Sequence, residues 1–127
     1  MSTPSKEAFL ELCDGAPVEK FAAGQALMRQ GEEGGFCYVI LKGRVGIDLE
    51  RTAGDTVRVA ERSAGELIGE LSLFQKTRSA SVVAISPCEC ARIPHAALLQ
   101  IVTCRPPLAL ALLAATMEKV REYRGKL

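Results

Sequence analysis

The chain has a single histidine, His95, among 127 residues. Catalytic zinc and iron sites usually take two or three imidazole ligands, and a nucleophilic triad needs its histidine beside a poised nucleophile. No partner motif accompanies His95, which follows Pro94 and is expected at the surface. The sequence therefore argues against a metalloenzyme and against a hydrolase built on a catalytic triad.

The sequence also has no excess of one charge sign and no long apolar run. The 16 basic and 15 acidic residues give a net charge of +1, and no cluster of lysine and arginine predicts a nucleic-acid surface. The longest apolar run, residues 108–115, is far shorter than the roughly 20 residues that cross a bilayer. The N-terminus has no basic region followed by an apolar stretch. We therefore expect a cytoplasmic protein without a direct nucleic-acid or membrane partner.

Disulfides are not expected, although the chain has five cysteines. Cys13, Cys37 and Cys104 are scattered through different predicted elements. Cys88 and Cys90 lie two residues apart in an alternating segment, so they share one face of a strand. Free cysteine packs as a small apolar residue, and buried reduced thiols are therefore favoured over a disulfide or metal-binding role.

The length fits a single domain over residues 1–127, because such a chain buries roughly two thirds of the surface that it exposes when unfolded. A helix is expected at about residues 5–13. At least seven short antiparallel strands are expected over about residues 18–94, since turn residues separate short runs with alternating apolar side chains. The predicted fold class is mainly β with flanking helices: an antiparallel β-roll or jelly roll, that is, a double-stranded β-helix.

Two hairpins are predicted within this roll. Residues 45–49 and 57–59 alternate apolar and polar side chains on either side of a turn. Residues 81–86 and 88–93 show the same pattern around Pro87. We expect antiparallel pairing within each of these two segments.

The C-terminal part, about residues 95–124, is expected to be helical. A short helix is predicted at residues 96–102, and Pro106 with Pro107 is typical of the start of a second one. Apolar residues then recur at helical spacing: Leu108, Leu112, Ala115, Met117 and Val120. Packing of this stripe on the roll is favoured over pairing with another copy or with a partner protein.

The segment 68–82 combines a glycine turn, a carboxylate and an arginine. Gly69 permits close approach of the backbone, and a helix that begins at Glu70 would present unpaired N–H groups to an anion. Arg78 would supply the opposite charge, because a guanidinium stays protonated and its planar donors match phosphate oxygens. The pattern therefore indicates a site that binds a sugar phosphate.

The order of the motifs resembles the cyclic nucleotide-binding domain over about residues 18–124. The central motif is similar to the phosphate-binding cassette of that family, in the version found in its bacterial catabolite-activator branch. The motifs that carry the resemblance are Gly31-Glu32, Phe36-Cys-Tyr-Val-Ile40, Gly43, Gly65-x-x-x-Gly69-Glu-Leu-Ser-Leu73, Arg78-Ser-Ala-Ser-Val82 and Cys90-Ala-Arg-Ile93.

The resemblance implies specific roles for residues of this chain. Glu70 would bind the ribose 2′-hydroxyl, and Arg78 would bind the cyclic phosphate. Further contacts to phosphate and ribose are implied for Gly69, Leu71, Ser72, Ser79 and Ala80. Contacts to the base are implied for Ile47, Val59, Ile68, Tyr123 and Arg124, the last two as a lid. The three aliphatic residues are equally well explained as ordinary core residues. The two lid residues are equally well explained as part of a solvated chain terminus.

The function implied by the resemblance is that of a regulatory module rather than an enzyme. Its ligand would be cAMP or, as the second choice, cGMP, with no further cofactor. Binding would move the C-terminal helix, which would then act on an effector protein or form a homodimer. Two alternatives stay open: a degenerate domain that has kept only an interaction role, and a small cupin-type enzyme, which would need more metal ligands than one histidine readily supplies.

Overall fold

The structure is a computed structural model that describes residues 9–10, 12–73 and 75–124. Most of the helix expected over residues 5–13 lies outside these residues, and its described residues Phe9 and Leu10 are helical.

Within the described part of the chain, eight strands form two four-stranded antiparallel sheets. The first sheet has the order β1 (Val18–Phe21), β8 (Cys88–Pro94), β3 (Phe36–Lys42) and β6 (Leu67–Ile68). The second has the order β2 (Ala26–Met28), β7 (Ser81–Ala84), β4 (Arg44–Glu50) and β5 (Thr56–Ser63). Consecutive strands repeatedly change sheet, which is the pattern of a β-roll and confirms the predicted fold class.

One of the two predicted hairpins is confirmed and the other is wrong. Strands β4 and β5 pair in antiparallel from Arg44 opposite Ser63 to Glu50 opposite Thr56. Strand β7 instead pairs with β2 and β4, whereas β8 pairs with β1 and β3 in the other sheet. The segment around Pro87 is therefore a crossover between sheets, and local alternation around a turn does not distinguish a crossover from a hairpin.

A second crossover, between β3 and β4, packs against the one at Pro87. Its residue Gly43 has a φ of +96°, and a Cβ there would lie 2.4 Å from the carbonyl oxygen of Pro87. Only glycine combines this left-handed backbone with so close an approach. The two crossovers thus fix each other where the chain passes between the sheets.

Two helices follow the last strand, as the sequence predicts. Helix α1 spans His95–Cys104 and helix α2 spans Pro106–Arg124. Leu108 and Leu112 of α2 are buried and pack with residues of β3 and α1. The apolar stripe of α2 therefore packs on its own roll, as expected, through its first half. The prediction is wrong for Met117 and Val120, which are exposed because the second half of the helix turns these positions away from the roll.

The described residues form two apolar clusters, one on each face of the first sheet. Strand β3 belongs to both because side chains alternate across a strand. Tyr38 and Ile40 point between the two sheets, whereas Cys37 and Val39 face the helices. This double burial explains why β3 is an almost continuous apolar run.

All five cysteines are free. Cys37, Cys88 and Cys90 are buried, Cys13 is half-buried and Cys104 is exposed. Cys88 and Cys90 lie in the same cluster between the sheets, as their spacing predicts. Burial raises the pKa of the Cys37 and Cys90 thiols to about 12, so both stay protonated at neutral pH.

Candidate functional site

A pocket lies where the second sheet, the segment after β6 and helix α2 meet. Its lining residues are Met28, Ile47, Ile68, Gly69, Glu70, Leu71, Arg78, Ser79, Ala80, Val82, Lys119 and Tyr123. The cavity volume is about 40 Å³. A water molecule needs roughly 10–15 Å³ of such volume, so the cavity has room for only a few waters. The pocket is partly open to solvent, and α2 borders it on one side.

Gly69 forms the turn between β6 and the 3₁₀ helix Glu70–Leu73. Its φ of +86° lies in the left-handed region, where a side chain is strained. A Cβ on this residue would lie 2.8 Å from Nη1 of Arg78 and 3.0 Å from Cε of Met28. The close approach that the sequence predicts for Gly69 is therefore used by the guanidinium of Arg78.

Arg78 is buried and held in position by backbone carbonyl groups. Its Nη1 donates to the Gly69 oxygen at 3.0 Å, and its Nη2 donates to the Phe36 oxygen at 2.8 Å. The Phe36 ring lies beside it, with the centroid 4.8 Å from Cζ. Burial lowers the pKa of Arg78, but a guanidinium titrates so high that it remains a cation. The result is a fixed positive charge at the pocket wall.

Glu70 is almost completely buried, with 1% of its surface exposed. Its Oε1 accepts a hydrogen bond from Nζ of Lys119 at 2.7 Å. The same ammonium also donates to the carbonyl oxygen of Leu67. The carboxylate to which the resemblance assigns the ribose is therefore engaged by a lysine of helix α2.

The charges at residues 118–124 predict a polar face for the last turns of α2 that includes Lys119, but Lys119 is buried. A signal for its burial exists in the sequence. Residues 108, 112, 115 and 119 follow one another at intervals of 4, 3 and 4, so Lys119 lies on the buried stripe of α2. A lysine on such a stripe needs a buried acceptor. Met28 and Val82, which line the apolar side of the pocket, were also missed, and nothing distinguishes them from ordinary core residues.

A second polar contact joins the end of α2 to the roll. Nη2 of Arg62, on β5, donates to Oε2 of Glu122 at 2.7 Å. The neighbouring residue Tyr123 lines the pocket and packs against the cluster between the sheets. Burial raises the pKa of the Tyr123 phenol to about 12, so the phenol is neutral.

The structure brings most of the predicted residues to this pocket. The phosphate and ribose candidates among its lining residues are Gly69, Glu70, Leu71, Arg78, Ser79 and Ala80, and the base candidates are Ile47, Ile68 and Tyr123. Two base candidates are not among the lining residues: Val59 is buried in the cluster between the sheets, and Arg124 is exposed at the end of α2. The side chain of Ser72 lies outside the described part of the structure.

His95 lies near the pocket. It is half-buried at the start of α1, and its backbone N–H donates to the Gly35 oxygen at 3.0 Å. Burial lowers its pKa, and both Glu70 and Arg78 are close enough to influence it. The expected surface position is therefore confirmed only in part, because the side chain is half-buried beside the pocket segment.

The charges and the lining define what this pocket is able to bind. Two cations, Arg78 and Lys119, face one anion, Glu70, so the pocket attracts an anionic group. Its apolar side is complementary in character to an uncharged ring. Among the described residues, no group of three or more His, Cys, Asp and Glu side chains is placed to bind a metal ion, and no helix is long and apolar enough to cross a membrane.

This combination of roll, turn and buried arginine is that of a known family. The family model of the cyclic nucleotide-binding domain matches residues 18–103. The chain therefore belongs to the cyclic nucleotide-binding domain family, as its sequence motifs suggest.

Three of the similar proteins are a transcriptional regulator, a catabolite activator protein and a kinase regulatory subunit. The cAMP-activated global transcriptional regulator CRP of Salmonella typhimurium is 32% identical over 126 residues, covering 92% of this chain and 59% of that protein. The crystal structure of Thermus thermophilus catabolite activator protein has a TM-score of 0.81 and 26% identity, covering 98% of this chain and 58% of that one. The regulatory subunit of a cAMP-independent protein kinase A from Trypanosoma brucei has a TM-score of 0.75 and 26% identity, covering 95% and 42%. The chain thus spans about three fifths of the curated relatives' length.

Proposed function

We propose that this chain is a cyclic nucleotide-binding regulatory module that acts by binding and movement rather than by catalysis. The observation that supports the proposal is the convergence of Gly69, Glu70 and Arg78 on one pocket. Residues 1–127 would form a single domain of a cytoplasmic regulator. The proposed ligand is cAMP, because the CRP relative is described as cAMP-activated, with cGMP as the second candidate.

The phosphate would bind at Arg78. A cyclic phosphodiester carries one negative charge, and a guanidinium has five N–H donors in a fixed fork. The bonds to the Gly69 and Phe36 oxygens already fix the plane of this fork. Because the side chain is ordered before the ligand arrives, little entropy is lost on binding.

The sugar and base would bind on either side of this charge. Glu70 would accept a hydrogen bond from the ribose 2′-hydroxyl, which a deoxyribose cannot donate. The base would lie against Ile47 and Ile68, and Tyr123 would cover it in the position that helix α2 takes after it has moved to admit the ligand. Ser79 lines the pocket, and its hydroxyl is a polar group able to reach either the phosphate or a purine edge.

Calorimetric titration with cAMP and cGMP tests this proposal. We expect saturable binding by the wild type and binding at least about tenfold weaker in the Arg78→Lys variant, since a lysine keeps the charge but loses the planar fork. Arg58→Lys is the matched control, because Arg58 lies on the exposed β4–β5 hairpin and pairs with Asp48. A folded wild type that binds neither nucleotide would disprove the function.

A second surface of α2 supports a partner, and we propose a second copy of this chain. Four apolar side chains of this helix are between 46% and 67% exposed: Leu110, Leu113, Met117 and Val120. Their intervals of 3, 4 and 3 are those of a two-stranded coiled coil. Sedimentation equilibrium should therefore show a dimer that Leu113→Glu dissociates, whereas a monomeric wild type would contradict this pairing.

A further inference from the structure

We propose that Lys119 is a tethered competitor of the ligand: its ammonium occupies Glu70 in the free protein and keeps α2 closed until ribose displaces it. This inference rests on the proposed function. It assigns to one residue the link between ligand binding and helix movement. The link is an exchange of hydrogen-bond donors at a single carboxylate.

The contacts of Lys119 place its charge where the ribose would bind. Nζ is bonded to Glu70 and to the Leu67 oxygen, and these two residues flank the glycine turn. Lys119 is 7% exposed, so the ammonium lies inside the pocket and not at its rim. The ribose hydroxyl and the ammonium are both donors that need the same acceptor.

The position of α2 limits the room for a ligand at Glu70. The cavity volume there is about 40 Å³, which is space for a few waters. Most of the lining belongs to strands or to the segments between them. Lys119 and Tyr123 are the lining residues that α2 contributes, and movement of this helix would enlarge the cavity.

The competition would weaken the apparent affinity for ligand. A hydrogen bond between an ammonium and a carboxylate is stronger than one from a neutral hydroxyl. The ligand therefore binds only the fraction of molecules in which Lys119 has left Glu70, and the apparent dissociation constant rises in inverse proportion to that fraction. Such a module would respond only to a high concentration of nucleotide.

Lys119→Met tests the competition, because methionine keeps an unbranched apolar side chain and removes the ammonium. The matched control is Arg121→Met, which removes the same charge from the same helix at a side chain that is 76% exposed. In calorimetric titrations with cAMP and cGMP, we expect Lys119→Met to bind about tenfold more tightly than the wild type or better. Arg121→Met should bind like the wild type.

Hydrogen exchange without ligand separates the two proposals. We expect the last turns of α2 to exchange faster in Lys119→Met than in Arg121→Met, because the contact to Glu70 is lost. Faster exchange with weaker or unchanged nucleotide binding would overturn the competition and leave the binding function standing. Absence of nucleotide binding by the wild type and by both variants would overturn the binding function and the competition together. Equal rates of hydrogen exchange in the last turns of α2 of the two variants would show that Lys119 does not hold the helix.

Lys119→Gln replaces the methionine variant if the latter does not fold. Its amide still donates a hydrogen bond, but carries no charge, so Glu70 keeps a weaker partner. Binding should then tighten by less than in Lys119→Met. Weaker binding than the wild type would identify Lys119 as a contact to the ligand and overturn the proposal.

Discussion

Alanine substitutions at two glycines with the same backbone conformation separate two effects on stability: backbone strain and crowding by neighbouring side chains. Gly24 and Gly69 both have a φ of +86°. A Cβ at Gly24 would have no neighbour within 4 Å, whereas one at Gly69 would meet Nη1 of Arg78 at 2.8 Å and Cε of Met28 at 3.0 Å. The two substitutions therefore impose the same left-handed backbone on alanine, but only the one in the pocket also displaces other side chains.

Gly24→Ala and Gly69→Ala should lower stability by different amounts, and the difference should come only from the contacts that the Cβ at residue 69 makes. A left-handed conformation costs a residue with a Cβ about 1–2 kcal/mol, so Gly24→Ala should lower the free energy of unfolding by that amount. Crowding of a packed site typically adds about 1–3 kcal/mol. Gly69→Ala should therefore lose about 2–5 kcal/mol, with a correspondingly larger drop in the midpoint of urea unfolding.

Urea unfolding followed by circular dichroism measures both losses, and calorimetric titration with cAMP measures the consequence for binding. Displacement of Arg78 should weaken nucleotide binding by about tenfold in Gly69→Ala and leave Gly24→Ala unchanged. Equal losses of stability in the two variants would show that a Cβ at residue 69 does not clash with Arg78 and Met28, and would refute this reasoning. Normal binding by a destabilised Gly69→Ala would refute the role of Arg78.

Histidine and cysteine side chains give two further predictions. Because burial lowers the pKa of His95 below its usual 6.5, the unfolded chain binds its proton more tightly, and stability should be lost as the pH falls through about 6.5. His95→Gln should reduce the change in urea midpoint between about pH 7.5 and about pH 5.5, and an unchanged slope would contradict this. Alkylation at about pH 8, followed by peptide mass spectrometry, should label the exposed Cys104 first, because Cys37 and Cys90 have pKa values of about 12. Early labelling of Cys37 would show that the cluster facing the helices opens readily.

The strands were predictable from the sequence because alternation and turn residues are local signals. The pairing of these strands was predictable only where a short turn joins two neighbours in one sheet, as in β4 and β5. The error around Pro87 shows the limit: whether the chain continues into the same sheet depends on what the crossover packs against. Here the contact is with Gly43, more than 40 residues earlier.

In the candidate site, too, the local motif was predictable from the sequence and the long-range contact was not. Gly69, Glu70 and Arg78 lie within ten residues, so their motif was readable in the sequence and the pocket contains all three. The partner of Glu70 comes from Lys119, which is 49 residues away. The charges at residues 118–124 predicted a polar face of α2, and the helical spacing of residues 108, 112, 115 and 119 was the only sign that Lys119 is buried.

The contacts of α2 also indicate which part of the helix would move. Its first half is held by Leu108 and Leu112, and apolar contacts of this kind do not depend on whether a ligand occupies the pocket. Its second half is held by two polar contacts, from the Lys119 ammonium and from the ion pair of Arg62 with Glu122, and by Tyr123, which packs at the pocket itself. A ligand that takes Glu70 removes one of these two polar contacts directly. The movement should therefore begin in the last turns of the helix, while the leucines keep its first turns on the roll.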